Sequence, residues 1–123
     1  MNAPRVRNVD TGIGFIEFEM IPEWCQIEIY SYTRHCKGDH IRKKDEKVYT
    51  DHVGKRYRLR GYLKKGSSRW DVGDQYIRSQ RHNYFKFAIR NKVTNELSEM
   101  SSFTLKTVKR VEVESVHSRV YIV

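Results

Sequence analysis

From Asn83 to Arg90 the chain sets Phe85, Phe87 and Ile89 against Tyr84, Lys86 and Arg90, one position apart. A period of two sends successive side chains to opposite faces of a strand. The stretch is therefore read as a half-buried strand with Phe85, Phe87 and Ile89 in the core. The same alternation recurs elsewhere. Ile16, Phe18 and Met20 alternate with Glu17 and Glu19, and Cys25, Ile27 and Ile29 with Gln26, Glu28, Tyr30 and Tyr32. Val111 and Val113 alternate with Glu112 and Glu114. No repeated long helical period is present, which excludes a doubly wound α/β fold.

Six to eight short strands predict a mainly β fold. The expected form is a small antiparallel β-barrel or strongly twisted sheet of OB or SH3-like size. One short helix is expected over Gln75–His82, with Asp74 as its N-cap. Residues 1–10 read as a basic arm held extended by Pro4, and residues 11–123 as a single β-rich domain. Ile21-Pro22-Glu23-Trp24 is a short connection, so the strands on either side of it are expected to pair antiparallel. Residues 33–54 read as a long loop with a helical turn near His40–Lys47 and a short strand at Lys47–Thr50. Arg69–Val72 reads as a short return strand, and Val120–Val123 as an end docked in the sheet.

The stretch Lys55–Leu63, KRYRLRGYL, carries the functional signal. Under strict alternation Tyr57, Leu59 and Leu63 point one way, and Arg56, Arg58, Arg60 and Tyr62 the other. The three guanidinium groups would stand about 6.6 Å apart in a row. If this strand neighbours the Phe85 strand, one sheet face would carry Arg, Lys and Tyr together. Guanidinium groups hold phosphates bidentately and release counterions. Tyrosine rings stack on unpaired bases. A purely structural origin is also available, because tyrosine favours strands and charged residues protect sheet edges.

Charge distribution supports the functional reading. Of the formal +9, residues 33–92 hold eighteen Lys and Arg against six Asp and Glu, an excess of +12. Residues 1–32 carry −3 and residues 93–123 balance. A field of that sign attracts polyanions. The expected nucleic-acid-binding residues are Arg56, Arg58, Arg60, Tyr62, Tyr84, Lys86 and Arg90, with Arg42, Lys43 and Lys44 as a clamp from the loop. Without a long basic helix, RNA or single-stranded DNA is favoured over duplex.

Other chemistries are weaker in the sequence. Cys25, Cys36, His40 and His52 are all zinc-capable donors, but no C-x2-C knuckle is present, so no metal site and no cofactor is expected. His35, His40, His52, His82 and His117 are candidate general bases for a metal-independent endoribonuclease. Asp39-His40 and Asp51-His52 are adjacent in sequence, which on a strand places them on opposite faces. No phosphate-cradling glycine motif occurs. A tyrosine- and arginine-rich surface also suits a small inhibitor or regulator of a host or partner enzyme. No run approaches a membrane span and the first ten residues lack a signal-peptide core, so a cytoplasmic protein without membrane contact is expected. The reading is a non-catalytic nucleic-acid-binding protein, with the protein-binding regulator and the nuclease as alternatives.

Overall fold

The computed structural model describes residues 1–10, 14–33, 47–64, 66–71, 82–111 and 116–122. Its strands are β1 (Val6–Asp10), β2 (Phe15–Phe18), β3 (Cys25–Thr33), β4 (Val48–Thr50), β5 (Arg56–Tyr62), β6 (Arg69–Asp71), β7 (His82–Asn91), β8 (Leu105–Val111) and β9 (Val116–Ile122). They form two antiparallel sheets, a smaller one in the order β1-β2-β6 and a larger one in the order β4-β5-β3-β7-β8-β9. β3 and β7 are the backbone of the larger sheet. They pair in unbroken register from Cys25↔Asn91 to Thr33↔Asn83.

The alternation explains where the core sits. Ile27 and Ile29 of β3 and Phe85 and Phe87 of β7 share one face, and the smaller sheet covers it with Ile16, Phe18 and Trp70. Phe18 meets Phe87 edge-on at 4.9 Å between ring centroids, and Trp70 meets Phe85 at 4.8 Å. Such aromatic pairs add about 0.5–1.5 kcal/mol beyond the area they bury. Leu63 and Leu105 complete the cluster.

Several expectations are corrected. The sheets are open: β4 and β9 are the edges of the larger sheet, and no pairing among the described residues joins them. The core is closed by laying one sheet on the other, so the expected barrel does not form. No helix occurs among the described residues. The helix expected over Gln75–His82 lies outside them except for His82, which opens β7. The turn expected near His40–Lys47 lies outside them except for Lys47. The strands flanking Pro22 are not partners, because β2 pairs with β1 and β6 while β3 belongs to the other sheet. The Cys25 amide donates to the Pro22 carbonyl at 2.9 Å, a tight turn that redirects the chain between layers. Met20, expected to continue the buried alternation, is 72% exposed because β2 ends at Phe18.

The first ten residues run along the molecule. Pro4 is buried, the Glu19 amide donates to the Arg5 carbonyl at 2.8 Å, and Val6–Asp10 form β1 against β2.

Candidate functional site

The face of the larger sheet turned away from the smaller one is lined by tyrosines. Cross-strand partners share a face, so Tyr30↔Lys86 and Tyr32↔Tyr84 place four side chains there. Tyr49↔Tyr57 adds two more from the β4–β5 hairpin, and Tyr84↔Lys106 adds one from β8. Ring centroids lie 5.8 Å apart for Tyr32–Tyr57, 5.9 Å for Tyr32–Tyr84 and 6.1 Å for Tyr49–Tyr57. Tyr57 is buried beneath the group, whereas Tyr32, Tyr49 and Tyr84 are half-exposed. Burial pushes the Tyr57 hydroxyl up to about 12; Asp51, Tyr32 and Tyr84 add to the shift and a hydrogen bond with Thr104 opposes it.

The loop from Asp51 to Lys55 brings a cation to this cluster. Asp51 Oδ1 accepts from the amides of Val53 at 3.0 Å and Lys55 at 2.8 Å. The Gly54 amide donates to the Asp51 carbonyl at 3.1 Å, and Gly54 holds a φ of +86°, which L side chains rarely adopt. The loop delivers the Lys55 ammonium 5.6 Å from the Tyr32 ring centre and 5.4 Å from that of Tyr84. Lys86 Nζ sits 5.9 Å from the Tyr57 ring centre and donates to the carbonyls of Ser101 at 3.2 Å and Phe103 at 3.5 Å. Burial holds its pKa below the ordinary lysine value, with the Asp51 charge acting the other way.

Beside the tyrosines lies a buried ionic network. Glu28 is 2% exposed. Its carboxylate accepts from Arg90 Nε at 3.1 Å and Nη2 at 3.2 Å, and from the Tyr30 hydroxyl at 2.6 Å. Lys47 Nζ approaches to 3.5 Å. Burial opposes ionisation of Glu28, but the bonds from Arg90 and Tyr30 and the charges of Arg90 and Lys47 outweigh it. The carboxyl sits below its ordinary value. The Tyr30 hydroxyl is raised, first by burial and then by its bond to Glu28.

The residues expected to form one basic face are divided between two. Between Ile29 and Tyr30 the β3–β5 register slips, pairing Ile29↔Gly61 and Tyr30↔Leu59 and leaving Arg60 as an extra residue. This bulge reverses the parity of the strand beyond it. Leu63 consequently joins the main core, while Tyr57 and Leu59 face the tyrosine side. Tyr62 also lies on the tyrosine side, opposite Glu28, and is 61% exposed. Arg58 pairs with Ser31 on the opposite, core-side face, and Arg56 shares its parity. Arg60 Nε reaches the same side and donates to Ser31 Oγ at 2.7 Å. β5 and β7 are separated by β3. Arg56, Arg58 and Arg60 thus occupy the face opposite to Tyr84, Lys86 and Arg90. Arg42, Lys43 and Lys44 lie outside the described residues.

Tyr32, Tyr49, Tyr57, Lys55 and Lys106 also line this face and are not among the binding residues expected from the sequence. The parity of Tyr32 was visible in the sequence, but which strands flank β3 was not.

Of the residues named for zinc binding or general-base chemistry, only Cys25 and His52 have described side chains; those of Cys36, His35, His40, His82 and His117 lie outside the description. No group of His, Cys, Asp and Glu among the described residues is arranged to hold a metal. Cys25 is a buried free thiol, and Cys36 and His40 lie outside the described residues. His52 is exposed in the loop, and its neighbour Asp51 is engaged by two backbone amides. No described helix is long and apolar enough to cross a membrane. Comparison with protein-family models, curated proteins and solved structures finds no match.

Proposed function

We propose that the protein binds single-stranded nucleic acid, RNA or DNA, on the tyrosine face of the larger sheet and performs no chemistry on it. The observation that carries this reading is the platform of Tyr32, Tyr49 and Tyr84 with the Lys55 ammonium set against two of its rings. Unpaired bases expose their faces to such a surface, while a duplex hides them. The ring spacing favours one mode of stacking. Bases repeat at about 3.4 Å, so a pair of rings must open to about 7 Å to take one between them. The tyrosine centroids are 5.8–6.1 Å apart and tilted. Bases therefore lie on top of the cluster, with Tyr49 and Tyr84 at its two ends. The net charge of +9 favours association with a polyanion.

Fluorescence anisotropy with a labelled single-stranded oligonucleotide tests this. Tyr84→Leu and Tyr49→Leu each remove one stacking surface, worth roughly 1–3 kcal/mol per base. Each variant should bind at least fivefold more weakly, with duplex a poor competitor. Unchanged affinity in both variants refutes the reading.

A second reading, a protein-binding regulator, has one observation in its favour. Met20, Trp24 and Val93 are 72%, 55% and 79% exposed, and the Lys92 amide donates to the Trp24 carbonyl at 2.8 Å, bringing the last two together. It predicts a partner whose capture survives nuclease treatment and is lost in Trp24→Ala.

A further inference from the structure

We infer that a bound single strand does not stay on the tyrosine face but crosses the sheet edge at β4, placing its phosphates against Arg56 and Arg58 on the opposite side. The inference rests on the reading above and adds a second, phosphate-binding segment to it.

The starting point is the state of the cations beside the tyrosines. Arg90 and Lys47 are both drawn to Glu28. Lys86 is buried, bound to two carbonyls and less basic than an ordinary lysine. Among the described residues of that face, Lys55 and Lys106 remain to meet phosphate. Among its described residues the face offers rings for several bases and few charges for the backbone that joins them.

Further charges lie around a nearby edge. β4 is three residues long and is the outermost strand beside β5. Tyr49 stands on the tyrosine side of it, while Val48 and Thr50 pair with Arg58 and Arg56 on the other. Adjacent strands are about 4.8 Å apart, so a flexible strand stacked on Tyr49 reaches the arginine side by passing over a single short strand. Arg56 is exposed and Arg58 half-buried. Arg58 also interacts within the fold. A guanidinium carries five N–H donors, so an internal contact and a phosphate contact are compatible.

The salt dependence of binding separates one face from two. Each phosphate contact to a single strand adds about −0.7 to the log–log slope. Arg56 and Arg58 together therefore contribute about −1.4 to the slope on a probe long enough to reach them. The probes are oligothymidylates of about four and about twelve nucleotides, within the range a small β domain covers. The variants are Arg56→Gln and the double variant Arg56→Gln/Arg58→Gln, the single one guarding against misfolding at the half-buried position. The longer probe should lose about 1.4 from its slope in the double variant and about 0.7 in Arg56→Gln, while the shorter probe is unaffected. Equal slopes for wild type and both variants on the longer probe overturn the inference while leaving the tyrosine-face reading intact. So does an equal loss on both probes. If neither probe binds wild-type protein, the parent reading fails and this one with it.

Discussion

Replacing Arg90 by Met should destabilise the protein far more than loss of an ordinary surface ion pair. Glu28 is 2% exposed and has four close contacts from three partners: Arg90 Nε at 3.1 Å, Arg90 Nη2 at 3.2 Å, the Tyr30 hydroxyl at 2.6 Å and Lys47 Nζ at 3.5 Å. Met keeps much of the aliphatic stem of Arg90 but removes two of the four contacts, both from the nearer cation. Stranding one member of a buried pair costs about 3–5 kcal/mol. Tyr30 and the partly exposed Lys47 remain, so the expected loss is about 2–3 kcal/mol at neutral pH. The pH dependence has a definite sign. In the wild type the folded Glu28 carboxyl lies below its ordinary value of 4.5, so its stabilisation is present above that value and fades as pH falls through the folded pKa. Without Arg90, burial is opposed less and the carboxyl rises, so acid relieves the variant while it weakens the wild type. Urea unfolding near pH 7 and near pH 4 should show the gap shrinking in acid. A cost under about 0.5 kcal/mol, or a gap that widens in acid, refutes the buried-network reasoning. Glu28→Gln/Arg90→Met should be more stable than Arg90→Met at neutral pH, because no charge is left stranded.

Three further outcomes follow from the geometry. Gly54→Ala meets open space but must hold a φ of +86°, so it should cost about 1–2 kcal/mol. The variant should also bind oligonucleotide more weakly, because the same loop sets Lys55 over the rings; a Tm equal to wild type would contradict the loop's strain. In alkali, the Tyr57 hydroxyl ionises near 12 in the fold against an ordinary 10.0, so its stabilising contribution holds below pH 10 and is lost between there and about 12. Ultraviolet titration of tyrosinate should show a late, unfolding-linked phase, and titration of all eight tyrosines in one step near the ordinary value would exclude it. Trp70→Ala removes the side chain that joins the smaller sheet to Phe85 and Phe87 and should cost about 3–5 kcal/mol by chemical denaturation. A loss below about 1 kcal/mol would mean that the two sheets do not share this core.

The faces of single strands were legible where alternation is strict. Ile27, Ile29, Phe85 and Phe87 lie in the core as their parity requires, and Tyr84, Lys86 and Arg90 lie opposite. What parity does not carry is partnership. The strands flanking Pro22 belong to different sheets, and β3 lies between β5 and β7, because backbone pairing is set by long-range packing that a local pattern does not encode. The arginine strand failed at one residue. Arg60 is the extra member of a bulge, and everything beyond it changes face, so Leu63 is core and Tyr62 is not. Gly61 lies beside that irregularity, and a glycine inside a strand pattern is the one local hint that was available. Composition also concealed how many charges were already engaged. Arg90 and Lys86 read as outward cations, yet one is bound to Glu28 and the other to backbone carbonyls.

The most direct test of the tyrosine platform is to map binding on the protein itself. Amide and side-chain chemical shifts of isotope-labelled protein would be followed by NMR during titration with single-stranded oligonucleotide. The largest changes should fall at Tyr32, Tyr49, Lys55 and Tyr84, with the buried side chains of Phe18 and Phe87 unmoved. Saturable changes centred on Trp24 and Val93, or no change at any residue, would contradict it.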